Sequence, residues 1–143
     1  MAQPPAEATE LARRLVTDEA SGSADPAAWA DAVEIVCCRL QDYLAGLLGS
    51  GGVVALMGRA LNLAKRDQPM LAEVKLGAEP SACFRGLAEA LAAGTADEAG
   101  AAGSSVVAHL LGLLILLLGR ELGTQPIRQL WPHVASSVRE IDA

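Results

Sequence analysis

Val106-Val107-Ala108-His109-Leu110-Leu111-Gly112-Leu113-Leu114-Ile115-Leu116-Leu117-Leu118 is an apolar run broken only by His109 and Gly112. As a helix it spans roughly 20 Å, short of the roughly 30 Å of hydrocarbon in a bilayer. A run of this length reads as a buried core helix. Just upstream, Thr95-Ala96-Asp97-Glu98 is a capping box: the Thr95 oxygen accepts from the Glu98 amide, and the Glu98 carboxylate reaches back. The helix is therefore expected over about 96–122, stopping before Gly123. A helix with no polar face must be surrounded by others. The expected fold is all-α, an orthogonal helical bundle of about five to seven helices around this central apolar helix.

Working outward, Asp25-Pro26 marks a helix start, with Asp25 as N-cap and Pro26 in the first helical position. Trp29, Val33, Val36, Cys37, Leu40, Leu44 and Leu47 then recur in steps of three and four, an amphipathic stripe. Gly49-Ser50-Gly51-Gly52 ends that helix, with Gly49 as a left-handed cap. A third helix, about 52–65, buries Val53, Leu56, Met57, Ala60 and Ala64. A short helical piece follows over Met70–Lys75. Glu79-Pro80-Ser81 opens a fourth helix, striped by Phe84, Leu87, Ala88 and Leu91. The last segment begins at Thr124. Ile127, Leu130, Trp131, Val134, Val138 and Ile141 keep helical spacing, and Pro132 breaks it near Trp131. Residues 1–24 read as an acidic lead-in and linker holding one short helix, with Ala20-Ser21-Gly22-Ser23-Ala24 as the linker. Residues 25–143 read as a single helical domain. No strand-like alternation of useful length occurs.

The chain is 52% hydrophobic but only 3% aromatic, so Leu, Ala and Val carry the apolar content. Leu and Ala are strong helix formers, whereas sheets are enriched in aromatic and β-branched residues. The net charge is −6. Acid dominates the first third, where eight Asp/Glu stand against three Lys/Arg in residues 1–50. Such a balance repels phosphate backbones and anionic lipid, arguing against nucleic acid as a partner and against a polybasic membrane anchor. Three cysteines without a CxxC pattern suit a reducing compartment, so a cytoplasmic location is expected. The polar N-terminus lacks the basic and apolar regions of a secretory signal.

Few residues carry chemistry. Val54–Leu61 and Ile115–Leu122 each read as an apolar run followed by Gly-Arg-x-Leu, 61 residues apart. The match fits either a faint duplication or shared packing in a Leu-rich chain. Its arginines, Arg59 and Arg120, can lay their stems on apolar surface and offer planar donors to an acidic partner. The plainer reading is an ordinary ion pair with Glu121, Asp42 or Glu34. Trp131, like Trp29, suits a core anchor, and becomes a partner contact if exposed. His109 can serve a ligand pocket with Met57, Leu113 and Leu117, although a neutral core histidine with one hydrogen-bond partner explains it as well. It lacks a matched second ligand for a metal or haem. Cys37 and Cys38 diverge by about 100° on a helix, which favours structural burial over joint metal binding. Ser104-Ser105 lies near His109, but no nucleophile elbow surrounds it.

The expected function is therefore a non-enzymatic helical interaction or regulatory module, without cofactor or metal. It would bind a partner helix, or itself as a homodimer, through an apolar surface. Two other classes compete: a sensor or carrier of a small apolar ligand, and a protein that inserts its central helix into membranes conditionally.

Overall fold

The computed structural model describes residues 4–20, 25–77 and 83–134, and these are almost entirely helical. Helix α1 spans Ala6–Ala20, α2 spans Pro26–Asp67, α3 spans Leu87–Ala92 and α4 spans Ala96–Leu130. A 3-10 turn, Pro69–Leu71, and two antiparallel two-residue strands, β1 (Lys75–Leu76) and β2 (Phe84–Arg85), join α2 to α3. Of the expected linker at 20–24, Ala20 closes α1, while 21–24, the opening at Glu79-Pro80-Ser81 and the tail positions Val138 and Ile141 lie outside the described residues.

Both long helices start as their sequences require. The Asp25 carboxylate accepts from the Ala27 amide, and Thr95 and Glu98 complete the capping box. Both then turn at a glycine. Gly49 has φ 78° and ψ 158°, and Gly119 has φ 86° and ψ 164°, a region that side-chain-bearing residues avoid. So α2 has arms 26–48 and 50–67, and α4 has arms 96–118 and 120–130. The corner of α4 lies at Gly119, four residues earlier than the expected stop at Gly123. Gly123 instead lets the second arm pass close to the first: a Cβ there would stand 2.7 Å from the Ile115 Cα. Pro126 sits inside the second arm, where it cannot donate a backbone hydrogen bond. In the preceding turn, Thr124 Oγ1 donates to the Arg120 carbonyl and Arg128 Nη2 to the Glu121 carbonyl. The helix ends at Leu130, as Pro132 requires.

The two long helices match one another in a register set by their corners. Ala32 and Ala102, Val36 and Val106, Leu40 and Leu110, and Leu44 and Leu114 occupy equivalent places, and all are buried. Leu47-Leu48-Gly49 corresponds to Leu117-Leu118-Gly119. The Gly-Arg-x-Leu match is out of this register, because Gly58 lies within a straight arm whereas Gly119 is a corner. The first arms pack side by side in the same direction. Trp29 meets Gly100 and Val33 meets Gly103, where a Cβ would come within 2.8 Å of the Val33 methyl. Missing side chains thus let the arms approach.

Helix α1 adds Ala8, Leu11, Ala12, Leu15 and Val16 to the same core cluster as the long helices, a spacing of three and one that forms a single stripe. Phe84, expected in a helix, lies in β2, and its amide is held by Glu34 of α2 at 2.9 Å. Of the expected fourth-helix stripe, Leu87 and Leu91 are buried and Ala88 is exposed.

Candidate functional site

The corners place apolar side chains in solvent. Each first arm is about 23 residues long, so its corner lies roughly 35 Å from its cap. Because the arms run in parallel register, both corners fall at the same end of the bundle. Leu47 there is 63% exposed and Leu116 78% exposed, joined by Leu48, Val54, Leu117 and Leu122. No charged residue occurs between Asp42 and Arg59, nor between His109 and Arg120. Leu47 was expected on the buried stripe of its helix, but the stripe runs past the point where a neighbouring arm can cover it. By length and composition alone, α2 and α4 could each cross a membrane. Their most apolar windows have mean hydropathies of 1.5 and 2.2 and are 33% and 56% buried inside the fold.

A second feature is a cleft of about 830 Å³ between α1, the first arm of α4 and the ends of the α2 arms. Its lining includes Arg13, Thr17, Trp29, Asp67, Ser104 and Ser105. The Trp29 indole N–H is buried and has no hydrogen-bond partner among the described residues. Beside the cleft, His109 is 2% exposed and its Nε2 lies 2.6 Å from Asp67 Oδ2. Asp67 is the only hydrogen-bond partner of His109 among the described residues, so the pair is a clamp between α2 and α4. Ser104 and Ser105 make no hydrogen bond to it.

A third feature joins Glu34, Cys38 and Gln41, spaced so that they share one face of α2, to Cys83 immediately before β2. Cys38 Sγ lies 2.9 Å from Cys83 Sγ. Cys83 Sγ donates to Gln41 Oε1 at 3.0 Å, and the Cys38 thiol points to Glu34 Oε2 at 3.9 Å. The Glu34 carboxylate accepts the amides of Cys83 and Phe84, each at 2.9 Å. Burial, followed by the hydrogen bond to Cys38 and the nearby Cys37, Cys38 and Glu34, pushes the Cys83 thiol well above its ordinary pKa. Ligand atoms of Glu34, Cys38 and Cys83 are close enough together to hold a soft cation. The sequence points to Cys37 with Cys38, whereas the structure pairs Cys38 with Cys83. The available signal was Glu34, Cys38 and Gln41 at helical spacing; their partner 45 residues away gave none.

The residues singled out in the sequence scatter. Arg120 is exposed and pairs with Glu7 at 2.9 Å, not with Glu121, Asp42 or Glu34. Arg59 is exposed beside a shallow hollow lined by Val54, Gly58 and Arg66, and makes no ion pair among the described residues. Trp131 is 1% exposed, donates to Glu19 Oε1 and lies under the Arg39 guanidinium, so it is a core residue and offers no contact surface. Met57 and Leu113 are buried in the core, His109 faces Asp67 and Leu117 lies in solvent near its corner. These four do not line a common pocket, and none of them lines the large cleft. Comparison with protein-family models, with curated proteins and with solved structures finds no match, so the reading of function rests on this geometry alone.

Proposed function

We propose that this chain is a non-enzymatic interaction module that joins a second copy of itself through the apolar end formed by its two helix corners. The observation that carries this reading is the exposure of Leu47, Leu48, Val54, Leu116 and Leu117 at that end, with no charged residue in 43–58 or 110–119; Leu122 lies just beyond the exposed Arg120 and Glu121. Contiguous exposed apolar surface marks an interaction site more often than scattered leucines do. The like-with-like match of the two corners also suits a self-complementary contact. In this reading the first arm of α4 is the central helix of an orthogonal bundle, the remaining helices cover it, and the module works in the cytoplasm with its cysteines reduced.

Light scattering coupled to size exclusion tests the proposal. A dimer is expected for the native chain and a monomer of unchanged helicity for Leu47→Glu/Leu117→Glu. A native monomer across the micromolar range overturns it. Liposome flotation on the same samples addresses the other use of an apolar end: binding to neutral vesicles, lost in the double variant, would replace self-association with membrane insertion.

A further inference from the structure

We propose that Cys38 and Cys83 form a thiol oxidation site that closes to an intramolecular disulfide, pinning the start of β2 to α2. The two sulfurs stand 2.9 Å apart, nearer than unbonded sulfur atoms rest. Each thiol proton has an oxygen to point at, Glu34 for Cys38 and Gln41 for Cys83. Glu34 also holds Cys83 in place by accepting its backbone amide and that of Phe84. The approach is therefore built by three side chains of one helix face, and does not depend on a chance encounter of two loops.

The same atoms suit a metal ion less well. Two thiolates on one tetrahedral zinc, with bonds of about 2.3 Å, stand roughly 3.7 Å apart. Reaching that spacing means separating the sulfurs. A disulfide, with a bond of about 2.05 Å, means bringing them together. Both oxygens of Glu34 are, moreover, already engaged by backbone amides.

The chemistry is a two-electron oxidation, with a peroxide as oxidant. Cys38 is half-buried and Cys83 buried. The thiol of Cys83 is also held protonated by its surroundings, so Cys38 is the sulfur that reacts first. As its thiolate, Cys38 attacks the peroxide: the S–O bond forms, the O–O bond breaks and the sulfenic acid results, while the departing oxygen takes a proton. The Cys83 sulfur then attacks the Cys38 sulfur. The S–S bond forms, the S–O bond breaks, and the leaving hydroxide takes the Cys83 proton as water. Cys37, wholly buried in the core, takes no part.

The test is treatment of the full-length chain with hydrogen peroxide, followed by thiol counting under denaturing conditions and non-reducing peptide mapping. The accessible count is expected to fall from three to one. The map should link the peptide carrying Cys38 to that carrying Cys83, and the denaturation midpoint should rise and return on reduction. Cys37 and Cys38 share a peptide, so fragmentation of the linked peptide in the native sequence places the bond on one of them without relying on variants that fail to fold. Cys37→Ala should retain the link and Cys38→Ser should abolish it. An intermolecular link, a link through Cys37, or sulfinic acid without a disulfide overturns the proposal. So does zinc alone, if it binds one-to-one and protects both thiols from peroxide.

Discussion

His109 lies in the most apolar stretch of the chain, and Asp67 makes its presence there tolerable. Asp67 is the last residue of α2, where the exposed carbonyls of a helix end disfavour a carboxylate. The imidazole offsets that cost, and the carboxylate in turn satisfies a nitrogen cut off from water. The two partners are unequally placed: the side chain of Asp67 is 27% exposed, that of His109 2%. Asp67→Ala should therefore cost about 1–3 kcal/mol, the penalty of a buried polar group left without a partner. His109→Leu should cost less, because Asp67 can turn to water. Urea denaturation of the two variants and of their combination checks this, and equal costs would mean that the pair contributes packing alone. Cys37 gives a pH prediction at the same scale. Burial first, then Glu34 and Cys38, pushes its thiol far above the ordinary value of 9.0. In the unfolded chain the thiol ionises near that ordinary value, while in the folded chain it stays protonated. The stability it allows is complete below about pH 9 and is lost as the pH rises further, by up to about 1.4 kcal/mol per pH unit. Replacing it as Cys37→Val should flatten the alkaline limb of a stability–pH curve. An unchanged limb would assign that loss to other groups, Cys83 first.

The decisive feature of the elements is the pair of corners. Gly49→Ala and Gly119→Ala should each cost about 1–3 kcal/mol, because only glycine rests comfortably at those angles. Gly123→Ala should also destabilise, for a different reason: its Cβ would meet backbone, which cannot give way. Gly46→Ala is the contrast. It lies within a helical arm with nothing near its added Cβ, and should stabilise by about 0.5–1 kcal/mol. Thermal melts of the four variants, compared for sign, test the assignment of corners. Gly49 was legible from sequence because Ser50, Gly51 and Gly52 follow it. Gly119 was not, because it sits between leucine and an arginine, both good helix formers, and Gly123 looked the better stop. The register match of the two long helices was hidden likewise, since Gly-Arg-x-Leu pairs positions that the corners do not share. The starts of α2 and α4 were readable because their caps are local chemistry, whereas α3 begins only at Leu87 and Thr124 lies inside α4. The strand at Phe84 was not readable, because it depends on Glu34, which is distant in sequence. The thiol pair was hidden for the same reason.

At the scale of the whole molecule, the exposed leucines gather at the corners, away from the helix caps. The caps Asp25 and Thr95, with Asp97 and Glu98, mark one end, and the exposed leucines of the corners mark the other. A chain of net charge −6 resists non-specific association by repulsion. The charge-free stretches 43–58 and 110–119 are where that repulsion is weakest and where apolar burial can exceed it. If two copies meet there, folding and association are linked, and the thermal midpoint must rise with protein concentration. The double variant Leu47→Ser/Leu117→Ser should remove that dependence. Its midpoint should match that of the native chain at the lowest concentration, because both side chains are already largely in solvent and contribute little to the isolated fold. Salt separates this contact from an ionic one. The exposed pair of Arg120 with Glu7 weakens as ions screen it. Apolar association strengthens in sulfate, which is excluded from protein surface. A concentration dependence of the midpoint that grows in sulfate, and is absent from the double variant at every sulfate level, assigns the association to the corners. A concentration dependence that survives the two substitutions would move the contact to another face of the bundle, with the exposed Arg59 and its shallow hollow the next surface to alter.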